Sequence, residues 1–61
     1  MKLKITGCSD SMYWYNAHIG KQFEIHRLGE VYAWVREPDE FQLLNFVLIQ
    51  DFEIVKEEKK G

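Results

Sequence analysis

Apolar and polar residues alternate through the first six positions of the chain. Met1, Leu3 and Ile5 are apolar, and the positions between them are polar. A period of two predicts a half-buried first β-strand. Gly7 ends this pattern, and the small polar residues at positions 8 to 11 predict a turn in which a side chain caps the following segment.

The stretch from residue 12 to residue 25 carries three adjacent aromatics and a glycine. Residues 12 to 18 predict one or two helical turns, with Met12, Tyr15 and Ile19 on a shared face. Gly20 stands where a left-handed residue commonly ends a helix. We therefore expect a short helical element that leads directly into a strand.

Two further strands are predicted after Gly20. In the second strand Phe23 and Ile25 face inward, and the residues at 22, 24 and 26 face outward. A turn at residues 28 to 30 leads into a third strand over 31–36, whose odd and even positions both carry apolar side chains. Strands of this kind are usually buried on both faces, so we expect the third strand to be central and covered on both sides.

Residues 41 to 49 form the most apolar run of the chain and follow an acidic turn that contains Pro38. The run is too long and too unpatterned for one two-faced strand. We predict a strand over 41–46, a tight turn over 48–51 and a closing strand over 52–55, in which Phe52 and Ile54 alternate with Glu53. Residues 56 to 61 predict a charged, frayed tail.

Five short strands, tight turns and one short helical turn predict a mainly β fold, a small five-stranded barrel over residues 1–55. The segments Ile19–Ile25, Tyr32–Arg36 and Leu48–Val55, in this order, resemble small SH3-like barrels. The pattern Trp-Tyr-x-x-x-Ile-Gly-x-x-Phe-Glu-Ile is also similar to small uncharacterised proteins of bacteriophages and prophages. The resemblance implies a phage-encoded inhibitor that acts in the host cytoplasm on a host protein, as in anti-defence or host takeover.

Size and charge restrict the range of functions. A domain of 61 residues has marginal stability, and its single cysteine, Cys8, excludes an internal disulfide. The net charge of -2 argues against a nucleic-acid binder that relies on phosphate contacts, although Lys2 and Lys4 alternate on one strand face. We interpret these lysines as a solvated strand edge. The chain shows no signal peptide and no membrane helix, so we expect a soluble cytoplasmic protein.

Few residues suit catalysis or metal binding. Cys8, His18 and His26 match no familiar ligand spacing, and we interpret them as a partly buried thiol and two surface histidines. The carboxylates of the turn at 37–40, together with Asp51 and Glu53, are interpreted as a solvated acidic rim. Phosphate-binding loops and nucleophile motifs are missing from the sequence. We predict no enzyme, no metal and no cofactor.

The aromatic residues are better candidates for function. A barrel of this size cannot enclose all of them, and exposed aromatics suit recognition. We name four as partner-binding candidates, with core plugs as the alternative for Trp14 and Tyr15, and we favour the core for Trp34. The partner-binding candidates are Tyr13, Trp14, Tyr15 and Tyr32.

The apolar run that follows Pro38 predicts a second buried surface. A symmetric homodimer would cover such a surface; a partner protein or the helical turn are the alternatives. The residues assigned to this interface are Leu43, Leu44, Phe46 and Leu48.

Three functions follow from these features. The first is a non-enzymatic protein that binds another protein through aromatics and the apolar strand. The second is a nucleic-acid-binding accessory module, which would require lysines and arginines to converge on Trp14 or Tyr32. The third is a dimer that sequesters a small nucleotide between aromatic rings.

Overall fold

A computed structural model describes residues 1 to 56, so most of the predicted frayed tail lies outside the described residues. The part described is mainly β, as predicted, and its only helical segments are two short 3₁₀ helices. The strands are β1 (Lys2–Ile5), β2 (Gln22–Leu28), β3 (Tyr32–Arg36), β4 (Leu44–Leu48) and β5 (Phe52–Val55). The first 3₁₀ helix spans Trp14–His18 and the second spans Ile49–Asp51.

All five strands belong to one antiparallel sheet with the order β4-β3-β2-β1-β5. The first strand is therefore internal, between β2 and β5. Our interpretation of Lys2 and Lys4 as residues of an edge strand is wrong, because their strand, β1, is paired on both sides. In this order β4 and β5 are the two edges, and closure of the sheet into a barrel stays a prediction.

Strand β2 belongs to both halves of the sheet. Its first residues pair with β1, with Leu3 opposite Phe23, and its last residues pair with β3, with Ile25 opposite Val35. The register shifts between Ile25 and Arg27, which marks a β-bulge at His26. Bulges bend a strand and increase its twist, so β2 turns the β3–β4 half away from the β1–β5 half.

The core lies on the inner face of this bent sheet. Leu3 and Ile5 are fully buried, which confirms the alternation predicted for the first strand. In the part of the chain that the structure describes, the buried apolar residues are Leu3, Ile5, Tyr15, Phe23, Ala33, Val35 and Val47. Met12 is 87% exposed and Ile19 is 51% exposed, so the predicted shared face is wrong. A 3₁₀ helix of five residues buries only one side chain, Tyr15.

Strand β3 is central, as predicted, but it is not covered on both sides. Ala33 and Val35 are fully buried on its inner face, whereas Tyr32 is 39% exposed and Trp34 is half-buried. Our preference for Trp34 in the core is therefore wrong. Trp34 is in phase with the exposed Arg36, and side chains two residues apart in a strand share a face.

The apolar run does divide into a strand and a tight turn, but the strand begins three residues later than predicted. The backbone of Gln42 has a φ of 49°, which interrupts an extended chain. Asp39 Oδ1 also accepts the backbone N–H groups of Phe41 and Gln42 at 3.1 and 2.9 Å, which holds this segment in a turn. The closing strand covers residues 52–55, as predicted.

Among the described residues, no helix is suited to cross a membrane. Neither 3₁₀ helix has the length or the apolar content that crossing a bilayer requires.

Candidate interaction surface

The hairpin of β3 and β4 has a second apolar face, opposite the core. The register places Tyr32 opposite Leu48, Trp34 opposite Phe46 and Arg36 opposite Leu44. Residues directly opposite each other share a face, and the residues between them point to the core. We call this surface the outer aromatic face and define it by Tyr32, Trp34, Leu44, Phe46 and Leu48.

Much of the outer aromatic face is accessible to solvent. Tyr32 is 39% exposed, Leu44 is 42% exposed, and Val31 at its rim is 64% exposed. Trp34, Phe46 and Leu48 are half-buried and, with Val31 and Tyr32, line a shallow apolar groove. Exposed apolar surface that is contiguous in this way commonly marks a binding site.

Ring contacts fix the shape of this face. Tyr32 and Trp34 meet edge to face, with centroids 5.1 Å apart and an angle of 87° between the rings. Phe46 lies 6.3 Å from Tyr32 and 5.2 Å from Tyr13, both in edge-on geometry. Such pairs are favourable beyond their area of contact, so the rings form one ordered row from Trp34 to Tyr13.

Charged side chains lie at the border of the outer aromatic face. Arg27 is the cross-strand neighbour of Trp34 on β2, and with Glu30 it lines a second groove beside Tyr32. Arg36 donates a hydrogen bond from its guanidinium to the backbone carbonyl of Gln42 at 2.9 Å. An apolar centre with a polar border is the usual composition of a protein interface.

The structure joins two sets of residues that sequence reasoning kept apart. Tyr13 and Tyr32 were predicted to bind a partner, and Leu44, Phe46 and Leu48 were predicted to form an oligomer interface. These five residues lie on or beside one continuous surface. Leu43, the remaining interface candidate, is 61% exposed and immediately precedes β4.

Two of the predicted partner-binding residues have structural roles instead. Tyr15 has no exposed surface, so the prediction that it contacts a partner is wrong and the alternative, a core residue, is confirmed. Trp14 is half-buried and donates a hydrogen bond from Nε1 to the carbonyl of Phe46 at 2.6 Å. Both side chains lie against the edge of β4 and belong to the framework of the fold.

Trp34 and Val31 are the residues of the surface that sequence reasoning missed. The signal for Trp34 was present, because an arginine two residues later in the same strand cannot share a buried face. For Val31 the predicted strand over 31–36 is wrong at its first residue, because β3 begins at Tyr32 and Val31 lies outside its alternation, largely exposed.

Asp51 is the centre of a hydrogen-bond cluster that joins the buried Tyr15 to the exposed Ser9. Its carboxylate accepts hydrogen bonds from the Ser9 N–H at 3.0 Å, the Ser9 hydroxyl at 2.8 Å and the Tyr15 hydroxyl at 2.5 Å. Its backbone carbonyl accepts the N–H groups of Thr6 and Gly7. Our interpretation of Asp51 as part of a solvated rim is wrong, since only 5% of the residue is exposed.

Opposing effects set the charge state of this cluster. Burial alone would raise the pKa of Asp51, but the hydrogen bonds from Tyr15 and Ser9 hold that pKa below its ordinary value. Burial raises the pKa of Tyr15, and the hydrogen bond to Asp51 raises it further. Asp51 is therefore a carboxylate and Tyr15 a neutral donor at neutral pH. This arrangement anchors the fold and provides no group ready to move a proton.

The thiol and the two imidazoles do not form a site. Cys8 is half-buried and donates from Sγ to the Asp10 carbonyl, and His26 is exposed at the bulge. His18 is half-buried against the rings of Trp14 and Phe23, so our assignment of it to the surface is wrong. No group of three potential metal ligands comes together within residues 1 to 56.

Comparison of the chain with protein-family models, curated proteins and solved structures finds no match.

Proposed function

We propose that this chain is a non-enzymatic interaction protein that binds another protein through the outer aromatic face. The observation that carries the proposal is the contiguous apolar surface opposite the core. The joint exposure of Tyr32, Leu44 and Val31 does not stabilise a monomer, and contiguous apolar surface of this kind is typical of a binding site. A partner that covers this surface removes apolar area from water, which makes the association favourable.

The composition of the face supports a protein partner. Tyrosine and tryptophan provide a large, rigid contact area at a low cost in side-chain entropy, and they dominate the binding energy of many interfaces. Tyr32 and Trp34 already hold each other in a fixed geometry, so binding orders few additional groups. Arg27 and Glu30 at the border can select the partner by charge.

The absence of catalysis is part of the proposal. The one buried carboxylate within residues 1 to 56, Asp51, accepts three hydrogen bonds. The outer aromatic face itself contains no nucleophile or titratable pair. The resemblance to small phage proteins implies that the partner is a bacterial host protein and the chain its inhibitor.

Site-specific crosslinking tests this proposal. A photoreactive amino acid replaces Trp34 in one variant and Gln22 in a matched control, since Gln22 is an exposed strand residue in the other half of the sheet. After irradiation in bacterial lysate, we expect a discrete crosslinked protein at position 34 and none at position 22. Reduction of the same crosslink by excess unlabelled protein shows that the site is specific.

Two results would contradict the proposal. The first is an identical crosslinking pattern at positions 34 and 22, which would indicate only general stickiness. The second is retention of the captured protein by a Tyr32→Ala, Trp34→Ala double variant. That variant keeps the inner residues Ala33 and Val35, so circular dichroism should show an unchanged fold.

A second candidate function, binding of single-stranded nucleic acid, has one supporting observation. Arg27 lies directly across from Trp34, where an arginine and an aromatic ring can accommodate a base and its phosphate. The predicted convergence of lysines does not support it, because Lys2 and Lys4 lie on β1, two strands away from β3. Fluorescence anisotropy with labelled oligonucleotides at low and high salt tests this function, and binding that weakens steeply with salt would favour it.

A further inference from the structure

Strand β5 presents an open edge. Odd-numbered residues of β1 bond to the β2 side, since the carbonyl of Ile5 accepts from Gly20 and its N–H donates to Lys21. Even-numbered residues of β1 therefore bond to β5, where Lys4 is opposite Glu53 and Lys2 is opposite Val55. It follows that Phe52 and Ile54 direct their backbone groups away from the sheet.

These outward groups have no bonding partner within residues 1 to 56. The strand contains neither a proline nor a bulge, and Glu53 is its only charged residue. Ile54 is 45% exposed, so an apolar side chain accompanies the open backbone. Proteins usually block such edges, because they readily pair with another strand.

We propose that β5 pairs with β5 of a second copy of this chain, antiparallel and with Ile54 opposite Ile54 across a two-fold axis. This dimer uses a surface distinct from the outer aromatic face and goes beyond the proposed function. It would join two sheets into one continuous sheet, and it leaves Trp34 and Tyr32 of both copies available to partners. A closed two-fold contact of this kind cannot propagate into fibres.

The charges of β5 select this register. Within β5, only Phe52 and Ile54 direct backbone groups toward the second copy, so these residues must form the hydrogen-bonded pairs between the two β5 strands. This requirement leaves few registers that are symmetric about a two-fold axis. A two-fold axis at Glu53 would place two carboxylates directly opposite each other, which is unfavourable. An axis at Ile54 places Glu53 opposite Val55 and Phe52 opposite Lys56, so within residues 52 to 56 no like charges lie directly opposite each other and all of β5 is paired. This self-complementarity favours a second copy over a foreign strand.

Proline substitution distinguishes edge pairing from general destabilisation. The N–H of Ile54 points outward, so Ile54→Pro removes a donor that the monomer does not use. The N–H of Val55 points to β1, so Val55→Pro breaks the native ladder and serves as the control. By light scattering we expect a dimer, with twice the chain mass of 7.3 kDa, for the wild type. For Ile54→Pro we expect a folded monomer with the mass of one chain.

Cysteine crosslinking tests the register itself, and it does not depend on how well the proline variant folds. In a Cys8→Ser background, Ile54→Cys places two thiols in a hydrogen-bonded pair, with Cα atoms about 5.5 Å apart. This spacing suits a disulfide. Leu44→Cys provides a matched exposed position on the other edge strand.

The expected result is rapid, near-complete crosslinking at position 54 and little at position 44. A wild type that stays monomeric at all concentrations, or an Ile54→Pro variant that remains dimeric, would overturn the proposal. Crosslinking at position 44 but not at position 54 would place the dimer at the outer aromatic face instead. If the open β5 edge binds only foreign peptides, the chain alone would be a monomer, and this result would also overturn the proposal.

Discussion

The edge strands β4 and β5 differ in what covers their outward backbone groups. On β4 the bonds at Leu43 and Ile49 show that odd-numbered residues face β3, so Phe46 and Leu48 direct their backbone outward. The carbonyl of Phe46 accepts from Trp14, its N–H donates to Asn45 Oδ1 at 2.9 Å, and the N–H of Leu48 donates to the Tyr15 hydroxyl at 3.4 Å. On β5 the corresponding groups have no such cover within the described chain.

This difference shows the structural role of the aromatic segment, the three adjacent rings from Tyr13 to Tyr15. Trp14 and Tyr15 use their polar atoms to block one edge of the sheet, while their rings fill the space beside it. Side chains that cover an edge prevent pairing with other strands. The sheet therefore has one edge that is covered at Phe46 and Leu48 and, within the described residues, one open edge at β5.

Loss of the Asp51 carboxylate is expected to have the largest effect. Asp51→Ala leaves the buried Tyr15 hydroxyl without its acceptor and removes the acceptor of two donors of the exposed Ser9. We expect a decrease of about 3 kcal/mol in the free energy of unfolding, as for other buried groups that lose a charged partner. Urea denaturation followed by tryptophan fluorescence measures it.

Glu53→Ala is the control for Asp51→Ala. Glu53 is an exposed acid two residues away, and we expect its removal to change the free energy of unfolding by less than about 0.5 kcal/mol. Equal effects of the two substitutions would show that the hydrogen-bond cluster does not stabilise the fold.

Trp14→Phe is expected to have the next largest effect. The substitution keeps an aromatic ring but removes the N–H that covers the Phe46 carbonyl, at a cost of about 1.5 kcal/mol. It also opens the β4 edge, so self-association should increase with concentration. Trp34→Phe is the matched control, and we expect it to cost less than about 1 kcal/mol without any new association, since the ring lies on the outer face.

Gly20→Ala tests how the aromatic segment is positioned over β4. Gly20 has a φ of 92° and links the first 3₁₀ helix to β2, and its N–H donates to the Ile5 carbonyl at 2.7 Å. A side chain would meet no neighbouring atom there, so the expected cost of about 1 kcal/mol is conformational. Gly7→Ala, which also meets no atom and has no positive φ, should be close to neutral.

Acid is expected to have the smallest effect, because the pKa of Asp51 results from opposing contributions. The folded-state pKa lies below the ordinary value of 3.8, so the ionised form stabilises the fold. This contribution is complete above the unfolded pKa and is lost as pH falls from about 4 through the folded pKa. We expect the stability difference between wild type and Asp51→Asn to shrink below about pH 4; a constant difference down to pH 2 would contradict this.

The sequence was informative where a local pattern determined the structure. Leu3 and Ile5 alternate with lysines, Gly20 marks a left-handed backbone, and the closing strand at 52–55 combines alternation with a preceding turn. Each of these features depends on residues adjacent in the chain. The structure agrees with all three.

The candidate surface was only partly predictable, because it depends on pairing between distant residues. The register that places Trp34 opposite Phe46 cannot be read from either strand alone. Asp51 was assigned to solvent because acidic residues are rarely buried without partners. Its partners, Ser9 and Tyr15, are 42 and 36 positions earlier in the chain.

The internal position of β1 has a consequence for the order of events during synthesis. Among the five strands described, β1 is synthesised first, and it pairs on one side with β5, the last of the five to be made. Because the contacts of β1 and of Asp51 join positions far apart in the chain, the core cannot be completed before β5 has been synthesised, and loop closure must precede it. A chain that stops before β5 leaves Leu3 and Ile5 without their cross-strand neighbours Ile54 and Phe52, so apolar side chains that the fold buries become accessible.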